Sequence, residues 1–165
     1  MQKRFALLFI LTVSILSSAV AHTYDICVYG GSSAGVIAAY TAKKAGKTVL
    51  LIEPGKHLGG LSSGGLGQTD IGNKYAITGI ARDFYRQIGQ HYGKFEQWTF
   101  EPHVAENLFK EYVKKGDFPV WFEYRLVSAS KKEGKIQEIT LEPSNQPGQG
   151  LRRVKAKMFI DCTYE

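Results

Sequence analysis

Asp25-Ile26-Cys27-Val28-Tyr29-Gly30-Gly31-Ser32-Ser33-Ala34-Gly35 is the stretch that decides the fold: an apolar run of strand length, a glycine turn, and the opening of a helical segment. Around it the pattern predicts a strand over Asp25–Tyr29, a helix over Ala34–Ala45 ended by Gly46, and a second strand over Thr48–Ile52 closed by Glu53. The unbroken apolar run Val49-Leu50-Leu51-Ile52 is what a parallel strand covered on both faces requires. Together these pieces make one βαβ unit, with an acidic residue 18 positions after Gly35. In such a unit Gly30 makes the tight turn out of the strand. Gly31, Ser32, Ser33 and Ala34 then carry bare backbone past a diphosphate at the helix N-terminus, where free N–H groups and a partial positive charge gather. Gly35 lets helix and strand pack closely, and Glu53 accepts hydrogen bonds from a ribose. Ser32 stands where the dinucleotide fingerprint has its middle glycine; its side chain is small, and its hydroxyl offers one more donor to a phosphate. The charge of Glu53 repels a 2′-phosphate, so the pattern points to NAD or FAD and away from NADP.

Downstream, Pro54–Gly72 is rich in glycine and without helical periodicity, a long irregular loop of the kind that is usually functional. Helical spacing returns over Ala76–Tyr92, with Ile77, Ile80, Ala81, Phe84 and Ile88 on one face. A further helix is predicted over Pro102–Lys115 with Val104, Leu108, Phe109 and Tyr112 inward; Pro102 marks its start, Lys114 and Lys115 its last turn, and Gly116 its stop. The remainder reads as β: Val120–Ser128, a turn at Lys131–Lys135, Ile136–Glu142, a loop over Pro143–Gly150, and Val154–Cys162, together an antiparallel meander. Met158-Phe159-Ile160 is continuously apolar, as in a buried strand of the main sheet. The expected fold class is therefore α/β, a Rossmann-type parallel sheet with helices on both faces and a β-meander added.

The first 21 residues read as a cleaved leader rather than part of the fold. Lys3-Arg4 precedes an apolar stretch from Phe5 to Leu16, and Ala19-Val20-Ala21 supplies the small-residue end, which places cleavage after Ala21 and the protein outside the cytoplasm. A lasting membrane span is disfavoured, since about 20 apolar residues are needed and Phe5 to Ala21 supplies 17 with four Ser or Thr among them. Without Lys3 and Arg4, 19 basic residues face 15 acidic ones, a net charge of +4. The basic clusters Lys131-Lys132 and Arg152-Arg153-Lys155-Lys157 fall in strand-like segments, where lysines guard edges, and no nucleic-acid module accompanies them. Cys27 and Cys162 sit at different levels of their strands, poor geometry for a disulfide, so two buried free thiols are expected. No ligand spacing for a structural metal is present.

The loop after Glu53, His57-Leu58-Gly59-Gly60-Leu61-Ser62-Ser63-Gly64-Gly65-Leu66-Gly67, exposes a backbone that can lie flat against a bulky ligand. At this point the chain resembles secreted bacterial FAD-dependent oxidoreductases, built on a glutathione-reductase-like FAD domain. The resemblance rests on YDICVYGGSSAGVIAAY at 24–40, LLIEPGKHLGG at 50–60, SSGGLGQTDIGN at 62–73, GIARDFYRQIGQHYG at 79–93, QWTFEPHVAE at 97–106 and FIDCTYE at 159–165. Some members carry names that refer to polysaccharide lyase activity, for which an FAD fold offers no chemical reason. The resemblance implies FAD as cofactor, and hydride transfer to flavin from a small-molecule substrate, with carbohydrate-related compounds among the candidates. It places Gly59, Gly60, Ser62 and Ser63 near the cofactor, although turn chemistry accounts for the two serines equally well. It makes Met158 to Thr163 the strand that returns beside the first. In the family a Gly-Asp pair and a substrate domain follow this strand, so the resemblance reads residues 22–165 as an incomplete FAD-binding domain, inactive alone.

No catalytic residue is assigned. His57 suits a proton carrier or a flavin attachment point, but a lone loop histidine is ordinarily exposed or capping, as is His103; the sequence assigns no role to Asp70, Tyr75 or Trp98 either. Two other readings stay open, an NAD-dependent dehydrogenase and an exported carbohydrate-associated module that keeps the fold as a scaffold. Substrate identity, electron acceptor and oligomeric state are not written in these residues.

Overall fold

The computed structural model describes residues 22–69 and 71–164; the leader expected over residues 1–21, and Asp70, lie outside the described residues. Element order is β1 (His22–Tyr29), α1 (Ser33–Lys44), β2 (Val49–Glu53), α2 (Gly79–His91), α3 (Pro102–Gly116), β3 (Val120–Phe122), β4 (Tyr124–Lys132), β5 (Lys135–Pro143) and β6 (Arg152–Asp161), with single 3-10 turns at Gly60–Ser62 and Lys74–Ala76. They form one mixed sheet in the order β3-β2-β1-β6-β5-β4. Strands β3, β2, β1 and β6 run parallel to one another, while β4–β5 and β5–β6 pair antiparallel. The βαβ unit and the return of β6 beside β1 therefore stand where the sequence places them.

Side-chain alternation along β1 and β2 divides the interior into two cores. Val28, Val49 and Leu51 face the helices and pack with Val36, Phe84, Ile88 and Phe109. Cys27, Leu50 and Ile52 point the other way, onto Ile139, Leu141 and Val154. Each fully buried aliphatic side chain contributes about 1.5–3 kcal/mol, which explains why β2 tolerates no polar residue before Glu53. Helices on both faces were expected; all three described helices share the first core, and the meander covers the second face instead.

Three further departures have local causes. The single strand expected over Val120–Ser128 breaks at Glu123, which takes a left-handed φ of 60°. Before the break β3 extends the parallel sheet beside β2, and after it β4 turns away to pair with β5. Two backbone bonds fix the kink, Glu123 N–H to Gly55 O at 3.0 Å and Ser144 N–H to Glu123 O at 2.7 Å. The stop of α3 is Asp117, left-handed at φ 49°, and not Gly116. Gly116 is kept inside the helix because a Cβ there would lie 2.6 Å from the Phe118 ring. Ala81, expected inward on α2, is exposed. By contrast the turn between β4 and β5 tightens as its residues demand, with Glu133 and Gly134 both at positive φ and Lys132 paired to Lys135.

Both cysteines are free, Cys27 buried and Cys162 only partly so. Cys27 stands level with Phe159 on β6, three residues short of Cys162, which is the offset that prevents a bridge. Burial pushes the Cys27 thiol up to about 12. The basic residues of β6 are spent within the protein: Lys157 pairs with Asp25 at 2.7 Å, Arg153 and Lys155 approach Glu138, and Arg152 lies over the rings of Trp121 and Tyr124. No helix among the described residues is long and apolar enough to cross a membrane.

Candidate functional site

Three parallel strands, β2, β1 and β6, end at the same rim, and the segments leaving them close around a cleft of about 190 Å³. Open α/β sheets place their ligands at this position, outside the carboxyl ends of the strands. Gly30, at φ 99°, turns the chain out of β1. A Cβ at this position would sit 2.8 Å from the backbone of Cys162 and Thr163, so the close approach of the β6 end demands glycine before any ligand does. Gly31 N–H donates to Glu53 Oε2 at 2.6 Å, and Gly55 N–H to Glu53 Oε1 at 2.6 Å. The carboxylate at the end of β2 is thereby held at the cleft wall. Two donors leave part of its capacity free, since a carboxylate offers about four acceptor sites.

Ser32 is the N-cap of α1: its hydroxyl accepts from Gly35 N–H at 3.3 Å and donates to Cys162 O at 2.8 Å. The hydroxyl is thus committed to tying α1 to β6 rather than held out as a spare phosphate donor. Ser33 and Ala34 open the first turn of α1, half-buried and exposed respectively, where a helix leaves N–H groups without intrahelical partners. Gly35 lies buried against the Gly30 carbonyl and allows the helix to approach the strand.

The glycine loop forms the opposite wall. Gly59 N–H donates to Gly31 O at 2.8 Å, so the loop is pinned to the turn it faces. Gly59 adopts φ 103° and Gly60 φ 54°; the ring of Phe109 packs on the first and Tyr164 on the second, where Leu61 N–H donates to the Tyr164 hydroxyl at 2.9 Å. Ser63 turns its hydroxyl onto Leu58 O and closes the loop on itself. Ser62 faces outward into a second, apolar groove of about 290 Å³ on the other side of the α1 N-terminus, with Ser33, Ile37, Phe84, Tyr85 and Phe109.

Gly30, Ser32, Glu53 and Gly60 therefore meet at one cleft, Gly31, Gly35 and Gly59 build its frame, and Ser33, Ala34 and Ser62 border the groove beyond it. Cys162, Thr163 and Tyr164, from the FIDCTYE stretch, also line the cleft although sequence analysis assigns them no site role; the parallel pairing of β6 with β1 is what brings them there. His57, given no firm role by sequence, lines it too, with Nδ1 3.1 Å from Glu106 Oε1 on α3. Burial alone would raise the Glu106 carboxyl, but hydrogen bonds from Lys110 and His57 outweigh it and hold the group below its ordinary value. His103 is exposed on the first turn of α3, and Trp98 is buried in a stack with Tyr85, their ring centroids 3.9 Å apart. Among the described residues no group of three or more His, Cys, Asp or Glu side chains could hold a metal ion.

Residues 25–165 match the profile of a family described as FAD dependent oxidoreductase. No curated protein matches the chain. Among solved structures, a myxobacterial FAD-dependent chondrochloren halogenase superposes with a TM-score of 0.64 at 10% identity, over 86% of this chain and 37% of that one. A geranylgeranyl bacteriochlorophyll reductase-like protein from Thermoplasma acidophilum gives 0.59 at 23% identity, over 86% and 39%. The L-amino acid deaminase of Proteus vulgaris gives 0.60 at 14%, over 87% and 54%. At these identities the likeness is one of fold. The chain spans roughly two fifths to just over half of the length of these structures.

Proposed function

Since the chain belongs to the FAD-dependent oxidoreductase family, we propose that it is the cofactor-holding part of an exported bacterial flavoenzyme of the glutathione-reductase-like type, acting on a small-molecule substrate. One observation carries the reading: a glycine-walled cleft at the ends of β1, β2 and β6, with a tethered carboxylate on one side and a helix N-terminus beside it. The residues present fit FAD. Where Gly30 and Gly31 pass, a Cβ would collide with protein atoms, so the backbone stays bare and close to the cleft. The first turn of α1 offers its N–H groups to a diphosphate. Glu53, with acceptor capacity unspent, suits a ribose diol. Beyond the helix N-terminus the groove changes character to Ile37, Phe84, Tyr85 and Phe109, surfaces suited to a large flat ring system.

When bound, FAD supplies the capacity to accept a hydride from a substrate C–H bond. The chain's own residues would hold and orient it: the first turn of α1, at Ser33 and Ala34, would offer N–H groups to the diphosphate, and Gly30, Gly31, Ser32 and Gly35 would keep the backbone close around it. Glu53 would fix the ribose, and Gly59, Gly60 and Ser62 would form the loop wall against the cofactor, with Ser63 bracing that wall from within. Export is supported by the Lys3-Arg4, apolar and Ala19-Val20-Ala21 sequence of residues 1–21. A carbohydrate-related substrate remains part of the proposal on resemblance alone. The test is a titration of the purified full-length protein with FAD, followed by absorbance and by quenching of flavin fluorescence. Saturable uptake approaching one FAD per chain supports the reading. Uptake of NAD(H) without uptake of FAD moves the protein to the nicotinamide class, and uptake of neither to the scaffold reading.

A further inference from the structure

Glu53 brings one negative charge to the cleft and a dinucleotide brings the charges of its diphosphate, so a cation on the cleft wall would strengthen binding there. The α1 N-terminus supplies a partial charge only. Among the residues lining the cleft, which include Gly30, Ser32, Glu53, Gly60 and Tyr164, His57 alone has a side chain that can become cationic near neutral pH. We propose that His57, oriented by Glu106, binds the diphosphate side of the cofactor as an imidazolium, so that FAD is held more tightly at mildly acidic than at mildly alkaline pH. The proposal rests on the flavin reading above and adds to it a binding residue with a pH dependence.

The geometry gives the ring a defined orientation. A carboxylate only accepts, so Nδ1, 3.1 Å from Glu106 Oε1, is the donor in that bond, and Nε2 is left for a ligand. The His57 side chain is 79% exposed whereas Glu106 is only 14% exposed, so a firmly seated carboxylate holds a ring that stays accessible from the cleft. The charged groups around His57 are accounted for. On α3 the Glu106 carboxylate faces the ring, and Lys110 lies 3.0 Å from the same carboxylate. Glu53 lines the same cleft, and the Lys56 ammonium lies 3.5 Å from Glu123, on the β3–β4 kink. From the end of β6, Tyr164 presents a neutral phenol bonded to Leu61 N–H.

FAD affinity measured by fluorescence quenching at about pH 5.5 and about pH 8.5, on either side of the ordinary histidine value, tests the proposal with no turnover required. A charge-assisted bond at a partly exposed site is worth about a three- to tenfold change in affinity, so the wild-type dissociation constant should rise by about that factor across the range. His57→Gln should bind at the weaker level at both pH values, and His57→Arg at the tighter level at both. Both variants should melt as wild type does, because the side chain is exposed. The charge-conserving rescue distinguishes binding from a merely structural role, which arginine would not restore. Wild-type and His57→Gln proteins with the same affinity and the same pH slope overturn the proposal while the flavin reading stands. A wild-type protein that takes up no FAD at either pH overturns both.

Discussion

The two ends of β1, β2 and β6 are made from the same three strands and put to opposite uses. At the N-terminal end, Asp25 accepts from Thr48 N–H and Thr48 Oγ at 2.8 Å each and from Lys157 Nζ at 2.7 Å. Carboxylate, hydroxyl and ammonium all find partners inside the protein, and the end is locked. At the C-terminal end the strands are tied as firmly, by Gly31 N–H to Glu53 and by the Ser32 hydroxyl to Cys162 O. There, however, the closing elements are bare glycine backbone, a helix N-terminus and a carboxylate with acceptor sites to spare. Closure by mutual charge produces a brace; closure by backbone produces a receptacle.

The largest expected effect breaks the receptacle outright. Gly30→Val places a β-branched side chain at φ 99° and against the Cys162–Thr163 backbone. Strain and overpacking together should cost about 2–5 kcal/mol of stability and abolish FAD uptake, read by thermal melting and by flavin titration. A variant that binds FAD like wild type contradicts the strand-turn-helix assignment. Next in size, Glu53→Ala removes the ribose acceptor and the partner of two backbone N–H groups, and FAD affinity should fall about tenfold. Unchanged affinity would remove Glu53 from the site.

Asp25→Asn tests the other end and should leave FAD affinity alone. The Asp25 carboxyl is held well below the usual carboxylate range, first by the hydrogen bond from Lys157 and then by those from Thr48. A folded-state pKa below the unfolded one means a stabilisation that is complete above the ordinary carboxylate value and is lost as pH falls through the folded pKa. The melting temperature of the variant should therefore lie below wild type at neutral pH, with the gap closing on acidification. A gap of constant size would show that the brace is not electrostatic.

The same contrast explains what sequence could reveal. The βαβ unit and Glu53 at the end of β2 are written in local patterns: a glycine turn between an apolar strand and a helix, and the continuous apolar run of β2. The return of β6 beside β1 is legible only through the family resemblance, and its apolar run Met158-Phe159-Ile160 is not buried as expected, with Met158 57% exposed. The destination of the Ser32 hydroxyl is not written locally, because its partner Cys162 is 130 positions away and offers only a backbone carbonyl, which no residue type announces. The break at Glu123 is likewise hidden, since a left-handed glutamate looks like any strand residue until Gly55 and Ser144 are seen to fix it. The helix stop moved from Gly116 to Asp117 because a tertiary contact with Phe118 outranked the local preference for glycine. The meander took the place of a second helix layer because Ile139, Leu141 and Val154 reach back over Cys27, Leu50 and Ile52, a pairing set by topology.

The central claim is that FAD lies at the C-terminal rim, and the two cysteines allow a direct measurement of it. Cys162 is half-buried at the cleft wall, whereas Cys27 is fully buried in the meander core with its thiol pushed up to about 12 by burial. Alkylation by iodoacetamide, followed by mass spectrometry of the native protein, should modify Cys162 first and leave Cys27 untouched. With FAD bound to saturation, modification of Cys162 should slow severalfold while Cys27 stays silent. Cys162 modified as quickly with bound FAD as without it would contradict the placement of the cofactor in this cleft.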